Sequence, residues 1–323
     1  MAIFCCLQTI WESAIIPRWD SETAASSLEL IVGGEAERLY SRAFGFPPRA
    51  FQREAFERIS GWLQQGAVPP LLVRAPCGSG KTEAIVAPFL YQWFEGRFYV
   101  PRLIWVLPTR ALIDQITGRL KGYAEKVDDR IRVAAQHGET QDAPWFFADV
   151  VITTLDQLIY GYARLKRFWL SSSDEGDRYR GHIELSCGDL AHSLVVFDEA
   201  HMYSPYTWGL VHSLFEILHA SRIPFILSTA TLPDSLKSGF ERGVLSDGFV
   251  FEEVEGDFSD IAGRAVLTEY IEEPLTGGGL NERVIKEIDG AKRALVVVNR
   301  VEKAQDVYRR LKDRFPDREV LLI

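Results

Sequence analysis

The chain has 323 residues, 47% of them hydrophobic and 25% charged, which is ample for a core and points to two domains, or one and part of another. A net charge of −9 excludes a global basic field that draws nucleic acid in, so any such contact is local. The four cysteines, Cys5, Cys6, Cys77 and Cys187, form no C-x-x-C pair, so they read as reduced cytoplasmic thiols rather than a zinc site or disulfide framework.

Residues 1–7 are apolar but lack a basic start and are too short to span a bilayer, so no membrane partner is expected. They read as a strand or loop packed on the body, within an N-terminal extension over residues 1–45 that carries no motif. Residues 21–27 read as a surface loop within it. Pro47 and Pro48 punctuate a helix start. Phe51, Ala55, Phe56, Ile59 and Leu63 then fall on one helical face. Gln52 lies off that stripe. Its amide can pair with both the donor and acceptor edges of adenine; a plain surface glutamine is the competing reading.

Leu71, Leu72 and Val73 lead into Arg74-Ala75-Pro76-Cys77-Gly78-Ser79-Gly80-Lys81-Thr82, and a helix-compatible run leads out. Strand, glycine-rich loop and helix form the setting of a phosphate-binding loop. Gly78 and Gly80 let backbone N–H groups turn onto a phosphate, and the helix offers its positive end to the same anion. Lys81 is placed for the β- and γ-phosphates of ATP, and the Thr82 hydroxyl for Mg²⁺. Ala75 stands where the strict pattern has its first glycine. An ordinary glycine-rich turn is the alternative.

Residues 103–107 read as a buried strand ending in Pro108, Thr109 and Arg110, at the strand edge where α/β ligand sites lie. Residues 111–120 read as the next helix and 131–135 as a further strand, followed by Gln136, His137 and Gly138. Residues 150–154 are a strand ending in Thr153 and Thr154, with Asp156 just beyond. Hydroxyls at strand ends suit phosphodiester contacts, and turn residues are an equal alternative. Residues 166–192 read as a polar connection with a loop at 171–176. Lys166, Arg167, Phe168 and Trp169 there read as a solvated helix end more readily than as a nucleic-acid strand.

Residues 194–197 then deliver two adjacent acids, Asp198 and Glu199, to a strand tip, with His201 beyond. Asp198 is placed to hold Mg²⁺, and Glu199 to orient and deprotonate an attacking water. Buried strand-end acids without a cation are costly, which argues against a purely structural role. Residues 223–228 are another strand, ending in Thr229, Ala230 and Thr231. Residues 234–280 are acidic and irregular and read as a connector. Strand patterns return at 295–298 and 320–323, flanking a helix over 301–315.

The order of these motifs resembles the superfamily 2 DEAD/DEAH helicase series: a glutamine, then APCGSGKT, LPTR, ITTLDQ, DEAH, TATLP and VVVNR, from Gln52 to the chain end. Within it, APCGSGKTEA, VLPTRALIDQ, DEAHMYSPYT and VVVNRVEKAQ look most like the CRISPR-associated helicase of type I interference systems. The resemblance implies an α/β fold: a RecA-like P-loop NTPase domain with a mostly parallel sheet over residues 46–260. The connector and start of a second such domain would fill 261–323. It implies ATP and Mg²⁺ as cofactors and ATP-driven DNA unwinding for a nuclease during antiviral defence. Residues 75–82 would bind nucleotide, with Gln52 reading adenine. Lys81, Asp198 and Glu199 would be catalytic, with Thr82 and Asp198 on the metal. His201, Thr229 and Thr231 would couple ATP state to DNA grip. Pro108, Thr109, Arg110, Thr153, Thr154 and Asp156 would line a single-stranded DNA track. Partners would be single-stranded DNA, a CRISPR surveillance complex and an HD-type nuclease on another chain or segment, since no paired His-Asp cluster is visible. A general DNA-repair or RNA helicase, or a non-catalytic ATP-binding scaffold, are the alternatives. The later arginine-rich motif is missing and about sixty residues follow the connector. The expectation is therefore a C-terminally truncated chain that binds Mg-ATP with negligible turnover of its own, its two last strands exposing sheet edges.

Overall fold

The computed structural model describes residues 34–66, 69–163, 183–242, 248–257 and 280–322. The apolar start at residues 1–7, the loop at 21–27, the basic-aromatic run at 166–169 and the loop at 171–176 lie outside them. The chain divides into two units, Met1–Gly263 and Arg264–Ile323.

In the first unit, the apolar runs become β1 (Leu71–Arg74), β2 (Arg102–Leu107), β3 (Val133–Gln136), β4 (Val150–Thr154), β5 (Ser193–Phe197) and β6 (Phe225–Thr229). With β7 (Glu252–Glu255) they form a seven-stranded sheet in the order β3-β4-β2-β5-β6-β1-β7, and every pairing is parallel. Strands of a parallel sheet are covered on both faces, so they read as continuous rather than alternating apolar runs. Alternate residues still part to opposite faces. Leu71, Val73, Leu103, Trp105, Val150, Ile152, Leu194 and Val196 join one core cluster, while Leu72, Ile104, Val106, Val151, Val195 and Phe197 join another.

The first face carries α1 (Glu35–Ala43), α2 (Ala50–Gln65), α3 (Lys81–Glu95) and α4 (Arg110–Val127). The second carries α5 (Leu155–Tyr162), α6 (Ile183–Ala191), α7 (Pro205–Ala220) and α8 (Asp234–Arg242). Phe51, Ala55, Phe56, Ile59 and Leu63 of α2 are all buried, as their spacing predicts.

Four stretches differ from the sequence reading. The featureless extension contains α1, whose Ala36, Leu39, Tyr40 and Ala43 are fully buried. The polar connection ends in α6. The acidic connector contributes α8 and the edge strand β7, paired to β1 from Leu71↔Glu252 to Arg74↔Glu255. Only Val254 of β7 is buried. Its three glutamates meet Arg58, Arg74 and Lys237, so the acidic run that argued for a loop is a charge-guarded sheet edge. In the second unit, α9 (Glu282–Gly290) and α10 (Val301–Arg314) form, but neither 295–298 nor 320–322 is a strand. A strand needs a neighbour for its hydrogen bonds, and among the described residues of this unit there is none. Leu295, Val297 and Leu321 are consequently 84%, 80% and 72% exposed.

Candidate active site

Because all seven strands run the same way, the loops after β1, β2, β4, β5 and β6 leave one edge of the sheet. In open parallel sheets that carboxyl edge is where ligands bind. Most of the sequence-singled residues of the first unit lie at it or in the loops and helices that follow, whereas Gln52 reaches it from α2, before β1.

The loop after β1 turns through two left-handed glycines, Gly78 at φ 77° and Gly80 at φ 94°, and Gly80 starts α3. Such angles strain any side-chain-bearing residue. Ala75, Pro76, Ser79, Lys81 and Thr82 are buried, while Cys77 and Gly78 face solvent. The Lys81 ammonium donates to the carbonyls of Ala75 at 3.0 Å and Pro76 at 3.2 Å. The loop is held from outside by α2. Arg49 Nη1 donates to the Ser79 carbonyl at 3.0 Å. Gln52 Nε2 donates to the Gly80 carbonyl at 3.0 Å, while its Oε1 accepts from the Arg49 N–H at 2.8 Å. Gln52 is 1% exposed, so the surface reading is overturned: a polar residue off the apolar stripe is buried because the loop packs on it. Its amide retains one N–H and one lone pair for a further partner. Arg49 carried no signal in the sequence.

At the tip of β5, Asp198 is 4% exposed. Its Oδ1 accepts from the Glu199 N–H at 2.9 Å and its Oδ2 from the Trp105 indole N–H at 3.2 Å. Burial pushes its carboxyl above the ordinary range and the charge of Glu199 adds to the push, while the Ser228 hydroxyl, the Glu199 N–H and, least, the Lys81 ammonium act the other way. Even with these N–H donors and the Ser228 hydroxyl beside it, burial still disfavours the charged form of this acid, which is the condition a divalent cation relieves. Trp105 was visible in the sequence only as a strand residue. Glu199 adopts φ 53°, a left-handed angle that costs of order 1–3 kcal/mol in a non-glycine residue and recurs at functional sites. Its Oε2 lies 3.3 Å from His201 Nδ1, and His201 Nδ1 lies 3.5 Å from Thr229 Oγ1. Thr229 Oγ1 donates to the Thr231 carbonyl at 2.8 Å. These polar groups stand in a row from the acid pair to the loop after β6, although the step from Glu199 Oε2 to His201 is a close approach and not a hydrogen bond.

The face after β2 and β4 is mixed. Thr109 stands at the N-cap position of α4 without a side-chain capping bond and is half-buried, as is Pro108. Arg110 is exposed and pairs with Glu139 at 2.5 Å, its guanidinium so close over Gly138 that a Cβ there would meet it at 2.9 Å. Asp156 is exposed in the first turn of α5. Thr153 and Thr154 do not belong to this surface. Thr153 is fully buried and donates to the Gln136 carbonyl at 2.7 Å, and the Thr154 hydroxyl is also buried. The two side chains point to opposite faces of the sheet, and because a parallel sheet is covered on both faces each hydroxyl ends up buried.

A family model described as DEAD/DEAH box helicase matches residues 49–238, more than half of the chain. The chain is 30% identical over 255 residues to the CRISPR-associated helicase Cas3 of Thermoproteus tenax, an alignment covering 75% of this chain and 41% of that protein. Among solved structures, T. fusca Cas3-ATP aligns at a TM-score of 0.52 and 23% identity, over 83% of this chain and 36% of that one. A chain of a CRISPR RNA-guided surveillance complex in a pre-nicking state aligns at 0.51 and 23%, over 83% and 32%. The chain thus spans between 32% and 41% of the length of these proteins. The structural likenesses agree with an α/β fold on a parallel sheet.

Proposed function

The chain belongs to the DEAD/DEAH box helicase family, and from that premise we propose that it is the ATP-hydrolysing motor part of a CRISPR-associated DNA helicase, which unwinds target DNA for a nuclease. The observation that carries the chemistry is the arrangement around Asp198. A buried, under-compensated acid at the tip of β5 stands within the electrostatic reach of the Lys81 ammonium, whose loop leaves the same sheet edge.

The residues fit ATP and Mg²⁺. When bound, they supply the phosphoanhydride bond and the charge that neutralises its oxygens. The backbone around Gly78 and Gly80 presents N–H groups to phosphate. Lys81 exchanges the Ala75 and Pro76 carbonyls for phosphate oxygens. Thr82 and Asp198 hold the metal. Gln52 offers its remaining N–H and lone pair to adenine. Glu199 orients the attacking water and takes its proton, and its left-handed backbone aims the carboxylate. His201, 3.3 Å from Glu199, and Thr229 and Thr231 behind it relay the state of the acid pair. Thr109, Arg110 and Asp156, with Pro108, face a single strand of DNA, while the buried Thr153 and Thr154 support that face from within. A surveillance complex and an HD-type nuclease are the partners in this reading, supported by the likeness to CRISPR-associated proteins.

ATP turnover of the longest protein containing this chain, measured alone and with single-stranded DNA or RNA, tests the reading. Stimulation by DNA and not RNA, with target loss when the surveillance complex is added, is the expected result. Equal stimulation by RNA would identify an RNA helicase instead, and nucleotide binding without turnover under any condition would identify a scaffold.

A further inference from the structure

Glu83, on the first turn of α3, takes no part in the chemistry above, yet it is 1% exposed. Its Oε1 accepts from the Tyr123 hydroxyl at 2.5 Å and from the Arg119 guanidinium. Arg119 Nε donates in turn to the Tyr123 hydroxyl at 3.0 Å, which closes a ring of three side chains. Both partners stand on α4, the helix that begins at Arg110. The other oxygen, Oε2, is buried without a hydrogen-bond partner. It lies 3.3 Å from the point where a Cβ on Gly80 would stand, and Gln52 Nε2 lies 2.3 Å from the same point. One oxygen of a single carboxylate is therefore fastened to α4, and the other rests against the pivot of the phosphate loop.

A well-packed apolar side chain would bridge two helices at least as stably as a buried ion pair. The polar ring here makes a different provision, a direction set at its buried Glu83 end, while the Arg119 side chain is 42% exposed. Glu83 sits two residues past Lys81, so a shift of the loop as it closes on phosphate moves its carboxylate. The hydrogen bonds to Arg119 and Tyr123 then carry that displacement to α4, which begins at Arg110, next to Thr109. Tyr40 of α1 is packed edge-on to Phe44, which packs edge-on to Tyr123, so the ring is walled on one side by aromatic groups that do not yield.

We propose that Glu83 is a positioning residue, whose ring with Arg119 and Tyr123 passes the state of the phosphate loop to α4 and so sets the grip of Thr109 and Arg110 on nucleic acid. The proposal rests on reading the loop as the nucleotide site. Hydrogen exchange of the 323-residue chain, with and without Mg²⁺ and a non-hydrolysable ATP analogue, tests it in the wild type, Glu83→Gln and Tyr123→Phe. In the wild type, nucleotide should slow exchange both in the loop with the first turn of α3 and in the first turn of α4. In both variants the loop should stay protected while protection of α4 falls by at least ~3-fold, since local opening reports each element separately. Equal protection of α4 in wild type and variants overturns the proposal, as does a wild type protected in the loop alone. Loss of loop protection in Tyr123→Phe, which removes one hydroxyl, would mean that the ring only supports folding and also overturns it. A wild type whose loop shows no protection overturns the nucleotide reading itself, and the proposal with it.

Discussion

Gly256, the residue after β7, lies so close to Ala75 that a Cβ at position 256 would stand 2.4 Å from the Ala75 Cβ and 3.2 Å from its Cα. The Gly256 N–H also donates to the Arg74 carbonyl at 2.8 Å, which fixes the two backbones at this spacing. Ala75 occupies the place of the first glycine in the phosphate-loop pattern, and the volume its methyl group takes is the volume Gly256 leaves free. The two positions are therefore coupled. Gly256→Ala should destabilise the first unit by about 1–3 kcal/mol, as overpacking does in a core that cannot expand. Adding Ala75→Gly should restore part of that loss, because it reopens the space. Urea midpoints of the two single variants and the double variant check this. Additive effects would show that the contact is relieved elsewhere.

Lys81 and Glu199 act on different species, so their variants should separate. Lys81→Ala removes the ammonium that holds ground-state phosphate and should abolish nucleotide binding. Glu199→Gln keeps the shape of the side chain and removes the base, so binding should survive and turnover should stop in the full-length protein. Affinity and turnover measured side by side decide it, and normal turnover in Glu199→Gln would refute the assignment of the base.

Trp105→Phe should act on the site through the support of Asp198 alone. The substitution keeps an aromatic ring in the core of β2 and deletes the N–H that donates to Asp198 Oδ2 at 3.2 Å. A buried carboxylate oxygen left without its donor costs about 1–3 kcal/mol. The expected outcome is a drop of that size in unfolding free energy in the absence of Mg²⁺. A smaller drop with Mg²⁺ and nucleotide bound should follow, because the cation supplies the compensation that the indole gave. A loss that is the same in both conditions would mean that Asp198 does not meet the metal.

Much of this was legible because the residues concerned interact with their near neighbours in sequence. The strand-loop-helix around Gly78 and Gly80 is a local conformational demand, and the acid pair at the end of an apolar run is a local contradiction. What was not legible depends on a partner far along the chain. The helical stripe of α2 identifies apolar contacts only, so a surface position stayed open for Gln52 beside the adenine reading; its burial comes from Gly80, in a loop beyond the next strand. The glutamates of β7 read as solvated because nothing in their own neighbourhood shows Arg58 and Arg74 waiting across the sheet. The reverse error arose at 295–298. An apolar, β-branched run reports a tendency to be buried between strands, and it says nothing about whether those strands are present.

Cys77 offers a test of the loop that needs no catalytic activity. Its thiol is exposed at the crest between Pro76 and Gly78, whereas Cys187 is half-buried and donates to the Tyr162 carbonyl at 3.2 Å. Iodoacetamide should therefore label Cys77 well ahead of Cys187 in the folded protein, since access to the thiol limits the reaction. If the loop wraps phosphate, bound Mg-ATP covers its crest and orders it. Labelling of Cys77 should then slow several-fold while that of Cys187, on α6 and remote from the loop in sequence, stays as it was. Peptide mapping by mass spectrometry reads both thiols in one sample, so Cys187 serves as the internal control for general tightening of the fold. Lys81→Ala should erase the protection without changing the rate in the absence of nucleotide. Equal labelling of Cys77 with and without Mg-ATP would count against the loop as the phosphate site, whatever the turnover of the protein.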